Sequence, residues 1–122
     1  MRAHILVVED NELNRYLITF MLEKTGHRVS QAVDGQQGIA MAALEQPDLI
    51  LLDIQLPGMD GYTVARTLKA DPATAAVPIV AVTSYAMVGD RERALEAGCV
   101  GYIEKPINPD TFVDEVRRYL PA

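Results

Sequence analysis

The sequence predicts an α/β domain: an open, doubly wound parallel sheet of five strands, in the spatial order 2-1-3-4-5, with five helices. Three observations predict it. The runs "ILVV" (5–8), "LILL" (49–52) and "PIVAV" (78–82) are short, continuous and rich in branched side chains. Such runs suit parallel strands covered on both faces. The runs "RVSQA" (28–32) and "VGYI" (100–103) are more mixed, as edge strands are. Helical patterns with cap residues fill the intervals, which is the alternation of an α/β sheet. With the continuous runs central and crossovers right-handed, the order 2-1-3-4-5 follows.

Each helix has its own signals. In the first, Leu13, Leu17, Phe20 and Met21 repeat at helical spacing as the expected inner stripe, and Gly26 is the stop. Asp34 precedes Gln37 by three residues, as in a capping box. Asp60 is placed to cap a third helix carrying Val64 and Leu68. The fourth pattern, about 86 to 97, has a thin stripe of Met87, Ala94, Leu95 and Ala97, with Gly89 near its start. Helices draw most of their stability from a packed apolar face, so this one is expected to be the least firmly held. The fifth is expected to start with Asn108 as N-cap and Pro109 in the first position, and to bury Phe112, Val113, Val116 and Leu120.

Bulk properties narrow the class. A length of 122 residues suits one domain, 1–122. The net charge of −6 opposes direct nucleic-acid or anionic-membrane binding, which needs clustered cations. Cys99 is the sole cysteine, so neither an intrachain disulfide nor a cysteine metal cage can form. No signal segment and no membrane-length apolar run is present. A cytoplasmic domain without membrane insertion is expected.

The chemistry lies at the strand ends. The first strand runs into Glu9 and Asp10, and the third into Asp53 followed by "QLPGMDG". Strands 1 and 3 are predicted neighbours at the point where the strand order reverses, where open α/β sheets bind ligands, flavodoxin among them. Three acids therefore converge. Two unit charges about 4 Å apart repel by roughly 4 kcal/mol at an effective dielectric near 20. A cation, a proton or a lysine must compensate. All-oxygen ligands favour Mg²⁺, with the Gln55 main-chain carbonyl as a further candidate. Thr83 and Lys105 end strands on the same rim. Acid, cation, hydroxyl and ammonium together make a phosphoryl site, with a carboxylate as nucleophile. Taken singly, Asp53 reads as a turn residue, Thr83 as a strand-end hydroxyl, Lys105 as a solvated cation and Tyr102 as an edge aromatic. Their shared rim is what argues for chemistry.

Four stretches, "VVEDN" (7–11), "LLDIQLPGMDG" (51–61), "VTSYA" (82–86) and "GYIEKPI" (101–107), resemble the receiver domains of two-component response regulators. The resemblance runs in order over nearly the whole chain and agrees with a flavodoxin-like fold. It implies that Asp53 accepts a phosphoryl group from a histidine kinase or histidine phosphotransfer protein. Glu9, Asp10, Asp53 and the Gln55 carbonyl would hold Mg²⁺, and Lys105 would pair with phosphoryl oxygens. Thr83 would move toward the phosphate and Tyr102 would turn inward. The Lys105–Pro106 bond would be cis. Gln55 and Tyr85 would tune hydrolysis. Output would pass through the face made by helix 4, strand 5 and helix 5 to a protein target, with no enzyme activity beyond the domain's own phosphotransfer and dephosphorylation. A stand-alone regulator is expected, because the chain stops soon after its last helix. The alternatives are a receiver excised from a hybrid kinase or larger regulator, and a binding module that is not phosphorylated. Rivals of other classes fit less well. A flavin carrier would meet repulsion from "EDNELN", a dehalogenase-like phosphatase would want an acid where Gln55 stands, and a dinucleotide enzyme would want a glycine fingerprint after strand 1.

Overall fold

A computed structural model describes residues 2–84 and 89–120. The order of elements is β1 (His4–Val8), α1 (Glu12–Lys24), β2 (Arg28–Ala32), α2 (Gly35–Glu45), β3 (Leu49–Asp53), α3 (Gly61–Ala70), β4 (Ile79–Thr83), α4 (Asp90–Glu96), β5 (Gly101–Glu104) and α5 (Phe112–Arg117). The strands form one parallel sheet in the order β2-β1-β3-β4-β5. The fold class and strand order are as the sequence predicts.

The period-2 alternation of a strand sorts the core into two layers. Ile5, Val7, Leu49, Leu51, Val80 and Val82 face α1 and α5, where they meet Ile18, Leu22, Phe112 and Val116. Leu6, Val8, Ile50, Leu52, Ile79 and Ala81 face the other way, against Val64, Ala65 and Leu68 of α3, Ala42 of α2 and Ala94 of α4. Every residue of β3 and β4 is buried, whereas β2 and β5 are mixed, which is why their runs read as edges. Each large side chain so buried contributes roughly 1.5–3 kcal/mol.

The caps explain where helices start. Asp34 Oδ1 accepts the Gln37 amide at 2.8 Å, while Gln37 Oε1 accepts the amide of Val33 at 2.7 Å, one residue earlier than a strict capping box. Asp60 Oδ1 accepts the Thr63 amide at 2.9 Å. Gly26, at φ +94°, follows α1 in the left-handed region that favours glycine.

Three expectations are corrected. The stripe assigned to the core of α1 faces outward: Leu13, Leu17 and Phe20 are 65, 42 and 52% exposed, and Met21 is half-buried. Ile18 and Leu22 are the buried pair. The helix is apolar on both sides, and periodicity reveals a stripe without saying which way it points. Second, α5 starts later than expected. Asn108 Oδ1 accepts the Asp110 amide at 2.9 Å and caps a turn, and Thr111 occupies the N-cap. Phe112 and Val116 are buried as expected, but Val113 and Leu120 are only half-buried. Third, α4 among the described residues is Asp90–Glu96, and Leu95 is 47% exposed. Ala94 and Ala97 are buried, so the thin packing expected of this helix is present. Met87, Tyr85 and the expected start of α4 near 86 lie outside the described residues.

Candidate functional site

The C-terminal ends of β1 and β3 lie side by side, with Val8 paired to Leu52. The acids one step beyond therefore meet. Ligand oxygens of Glu9, Asp10 and Asp53 all lie within 4.8 Å of one another. Glu9 and Asp53 are buried, at 2% and 3% exposure, and Asp10 is exposed.

Lys105 reaches in from the segment after β5. Its Nζ donates to Glu9 Oε1 at 2.7 Å and lies 3.5 Å from Asp53 Oδ2. Glu9 Oε2 accepts the Asn11 amide at 3.1 Å, and Asp53 Oδ1 accepts the Gln55 amide at 3.0 Å. One cation cannot balance three carboxylates. Burial, then the neighbouring Glu9, push the Asp53 carboxyl up to about 7, against the pull of the Gln55 amide and Lys105. Burial alone would raise Glu9 as well, but hydrogen bonds from Lys105, Asp53 and the Asn11 amide hold it below its ordinary value. Of the two buried acids, Asp53 is thus the one that takes up a proton first as pH falls while no further cation is bound. A lysine, and below about pH 7 a proton, supply the compensation that three converging acids demand.

The same three acids offer hard oxygen ligands on the wall of an open cleft of about 660 Å³ that Gln55, Ser84 and Lys105 also line. A carboxylate-only donor set with room for water suits Mg²⁺. Asp53 sits where it does because Gly61 begins α3 hard against the end of β3. A Cβ at position 61 would come within 2.5 Å of Ile54 Cα and 2.6 Å of the Asp53 carbonyl oxygen.

The remaining expected residues separate into two places. Thr83 is buried at the end of β4, its carbonyl accepting the Lys105 amide at 2.7 Å, and Ser84 is the residue that lines the cleft. Tyr102 is half-buried and away from the cleft. It lines a cavity of about 140 Å³ with Arg91, Leu95, Val100, Gly101 and Tyr119, on the α4–β5–α5 side. The Lys105–Pro106 peptide is cis, as expected. His27 accepts the Ala3 amide through Nδ1 at 3.0 Å, and His4 contacts Ser30 and Glu45, so neither histidine belongs to the cleft. Burial pushes the Cys99 thiol up to about 11, as befits a packed side chain.

Two contacts of the site have no counterpart in the sequence reading. Ser84 Oγ donates to Gln55 Oε1 at 2.7 Å, linking the loops after β4 and β3. Arg15 donates to the carbonyls of Glu9 and Asp10 at 3.0 and 3.4 Å. A cation one turn and a half beyond an acidic pair, on the helix that follows it, was the available signal.

The response regulator receiver domain family model matches residues 5–117, and the chain belongs to that family. It is a receiver module of two-component signalling. The polar-differentiation response regulator DivK of Brucella anthropi is 40% identical over 120 residues, which cover 98% of both chains. The receiver domain of a sensor histidine kinase from Pseudomonas aeruginosa, solved with a magnesium ion coordinated in its active-site cleft, is 38% identical with a TM-score of 0.88, covering 98% of each chain. The chemotaxis protein CheY4 of Vibrio cholerae superposes with a TM-score of 0.92 at 26% identity, covering 98% of this chain and all of that one. No helix among the described residues is long and apolar enough to cross a membrane.

Proposed function

We propose that residues 1–122 act as one phosphoacceptor unit in the cytoplasm, with Asp53 taking a phosphoryl group from a phosphohistidine on a histidine kinase or histidine phosphotransfer protein. The observation that carries this is the Asp53 carboxyl at the end of β3, raised by burial and then by Glu9, grouped with Glu9 and Asp10 and faced by Lys105. With the Asp53 proton given up to solvent as the cation binds, a carboxylate oxygen of Asp53 would bond to phosphorus as the P–N bond to imidazole breaks, and the departing imidazole nitrogen would take a proton from solvent. Glu9, Asp10, Asp53 and the Gln55 carbonyl would hold Mg²⁺, which would supply charge neutralisation on the phosphoryl oxygens. Lys105 shifts its ammonium from Glu9 toward those oxygens, a displacement that the 2.7 and 3.5 Å separations keep short.

A protein donor needs a landing surface beside the cleft. Leu17 lines the cleft with Asn14, Pro106 and Ile107. It continues into the exposed stripe of Leu13, Tyr16 and Phe20, whose aromatic rings stack with centroids 6.2 Å apart. An apolar stripe on a helix that already has a buried face is surface kept for a partner.

The signal leaves by the opposite flank. Phosphorylation adds negative charge and strong acceptor oxygens at Asp53. Thr83 moves toward them and Tyr102 turns inward from its half-buried site. The adjoining α4, seven residues long among the described residues and with Ala94 the one buried side chain of those seven, is readily displaced. A downstream protein reads the α4–β5–α5 face.

The test is intact mass after incubation with a small phosphoryl donor, with and without Mg²⁺, for wild type and Asp53→Asn. A Mg²⁺-dependent gain of one phosphoryl group, lost in the variant, is expected. Failure with both the small donor and a phosphorylated histidine phosphotransfer protein would leave the unphosphorylated binding module as the better reading. The kinship to a sensor-kinase receiver favours a second arrangement, in which this unit serves inside a larger protein. The native mass of the gene product distinguishes the two.

A further inference from the structure

We infer that Arg15 is a positioning residue for the divalent cation, because it sets the direction of Asp10. The inference rests on the Mg²⁺ reading of the cleft and goes beyond it by assigning a residue that bears no ligand atom.

The three acids are not held alike. Glu9 is fixed through its own carboxylate, by Lys105 and by the Asn11 amide. Asp53 is fixed through its own carboxylate, by the Gln55 amide and by Lys105. Asp10 is exposed, and among the described residues its carboxylate takes part in no hydrogen bond or ion pair. The aim of that side chain is therefore inherited from its backbone.

The backbone at this point lies between regular elements. β1 ends at Val8, and the first amide–carbonyl bond of α1 runs from Arg15 to Asn11 at 2.9 Å. The carbonyls of Glu9 and Asp10 precede that ladder, and Arg15 takes both of them with one nitrogen, Nη1. Its Nε donates to Gln31 Oε1 on β2 at 3.2 Å. The planar guanidinium thus ties the peptide units on both sides of the Asp10 α-carbon to a neighbouring strand. A lysine has the charge but cannot present donors in this fixed fork.

Charge and geometry predict opposite signs, which makes the role testable. As a nearby positive charge, Arg15 opposes a second cation in the cleft, so its removal would tighten Mg²⁺. As a clamp, it pre-aims Asp10, so its removal would weaken Mg²⁺. The guanidinium is part-exposed and its field is screened, whereas supporting contacts around metal ligands commonly carry about ten- to a hundredfold in affinity. The clamp prevails.

The experiment is calorimetric titration of the full chain with MgCl₂ at constant ionic strength, for wild type, Arg15→Gln, Arg15→Lys and Gln31→Ala. Urea midpoints and the amide exchange rate of Asn11 are measured without metal. Expected are about tenfold weaker Mg²⁺ binding in Arg15→Gln, nearly as much in Arg15→Lys, and two- to threefold in Gln31→Ala. Asn11 exchange should accelerate in all three. Should Arg15→Gln not fold, Arg15→Lys and Gln31→Ala decide. Unchanged or tighter Mg²⁺ binding in the Arg15 variants, with wild type binding normally, overturns the assignment of Arg15 alone. Absence of Mg²⁺ binding by the wild type overturns the reading of the cleft together with it.

Discussion

Asp53→Asn should stabilise the metal-free protein, and by an amount that depends on pH. In the folded chain the carboxyl is raised from its ordinary 3.8 to about 7. A raised acid favours the fold fully below its unfolded value, and the benefit drains away as pH rises through the folded one. The wild type therefore loses stability between about pH 4 and pH 7 that Asn, always neutral, does not lose. The interval converts to a ceiling of roughly 4 kcal/mol at about 1.4 kcal/mol per pH unit. Relaxation of Lys105 toward the ionised pair lowers this, so we expect about 2–3 kcal/mol at about pH 8 and under ~1 kcal/mol near pH 4. Urea denaturation in a chelator, run on both proteins across that range, measures the gap, because titrations away from the Glu9–Asp53–Lys105 group cancel. Saturating Mg²⁺ should close most of it at high pH by stabilising the wild type. A gap that stays constant with pH would refute the claim that Asp53 carries a proton in the metal-free fold.

Three other outcomes follow from described contacts. His27 accepts the Ala3 amide through Nδ1 and is lowered, chiefly by burial, so its contribution is complete above its ordinary 6.5 and lost as pH falls toward the folded value. On acidification below about pH 6.5 the wild type should lose ground to His27→Gln in thermal midpoint, a difference in which the Asp53 gain cancels; a pH-independent difference removes the histidine from the account. Gly61→Ala should cost about 1–3 kcal/mol in urea titrations and slow Asp53 phosphorylation, because its Cβ would meet backbone and not a yielding side chain. A wild-type rate and midpoint would show that α3 can shift freely. On α1, Ile18→Ala should cost about 2–4 kcal/mol, while Leu17→Ala should stay within about 1 kcal/mol yet slow phosphotransfer from a protein donor and leave small-donor phosphorylation intact. Equal loss with both donors would remove the stripe from the docking surface.

The sheet was legible because its central strands are continuous apolar runs and its edges are not. Once the order 2-1-3-4-5 is accepted, Glu9, Asp10, Asp53, Thr83 and Lys105 must share a rim, since parallel strands bring all their C-terminal ends to one side. Asp34 and Asp60 were legible as caps, because a short acid three residues before a free amide is a local signal. What failed was direction and cross-chain contact. On α1 the outward stripe of Leu13, Leu17 and Phe20 is more regular than the inward pair Ile18 and Leu22. The start of α5 was misplaced because Asn108 caps a turn that only later becomes a helix at Phe112. The Ser84–Gln55 contact joins separate loops and leaves no spacing in the chain, and the Arg15 contact, though marked by a cation just beyond the acidic pair, reaches backbone carbonyls that no residue type announces.

Helix α1 divides its labour by angle around one axis. Ile18 and Leu22 fasten it to the sheet, Arg15 grips the acid turn, and Leu13, Tyr16, Leu17 and Phe20 look outward. Side chains that share no neighbours mutate with nearly additive effects. Duplicated copies of such a gene could therefore exchange the outward set and acquire new donors, while the anchor and the grip stay under separate selection. Insulation between signalling lines would then evolve on a single helix face without jeopardising folding or chemistry.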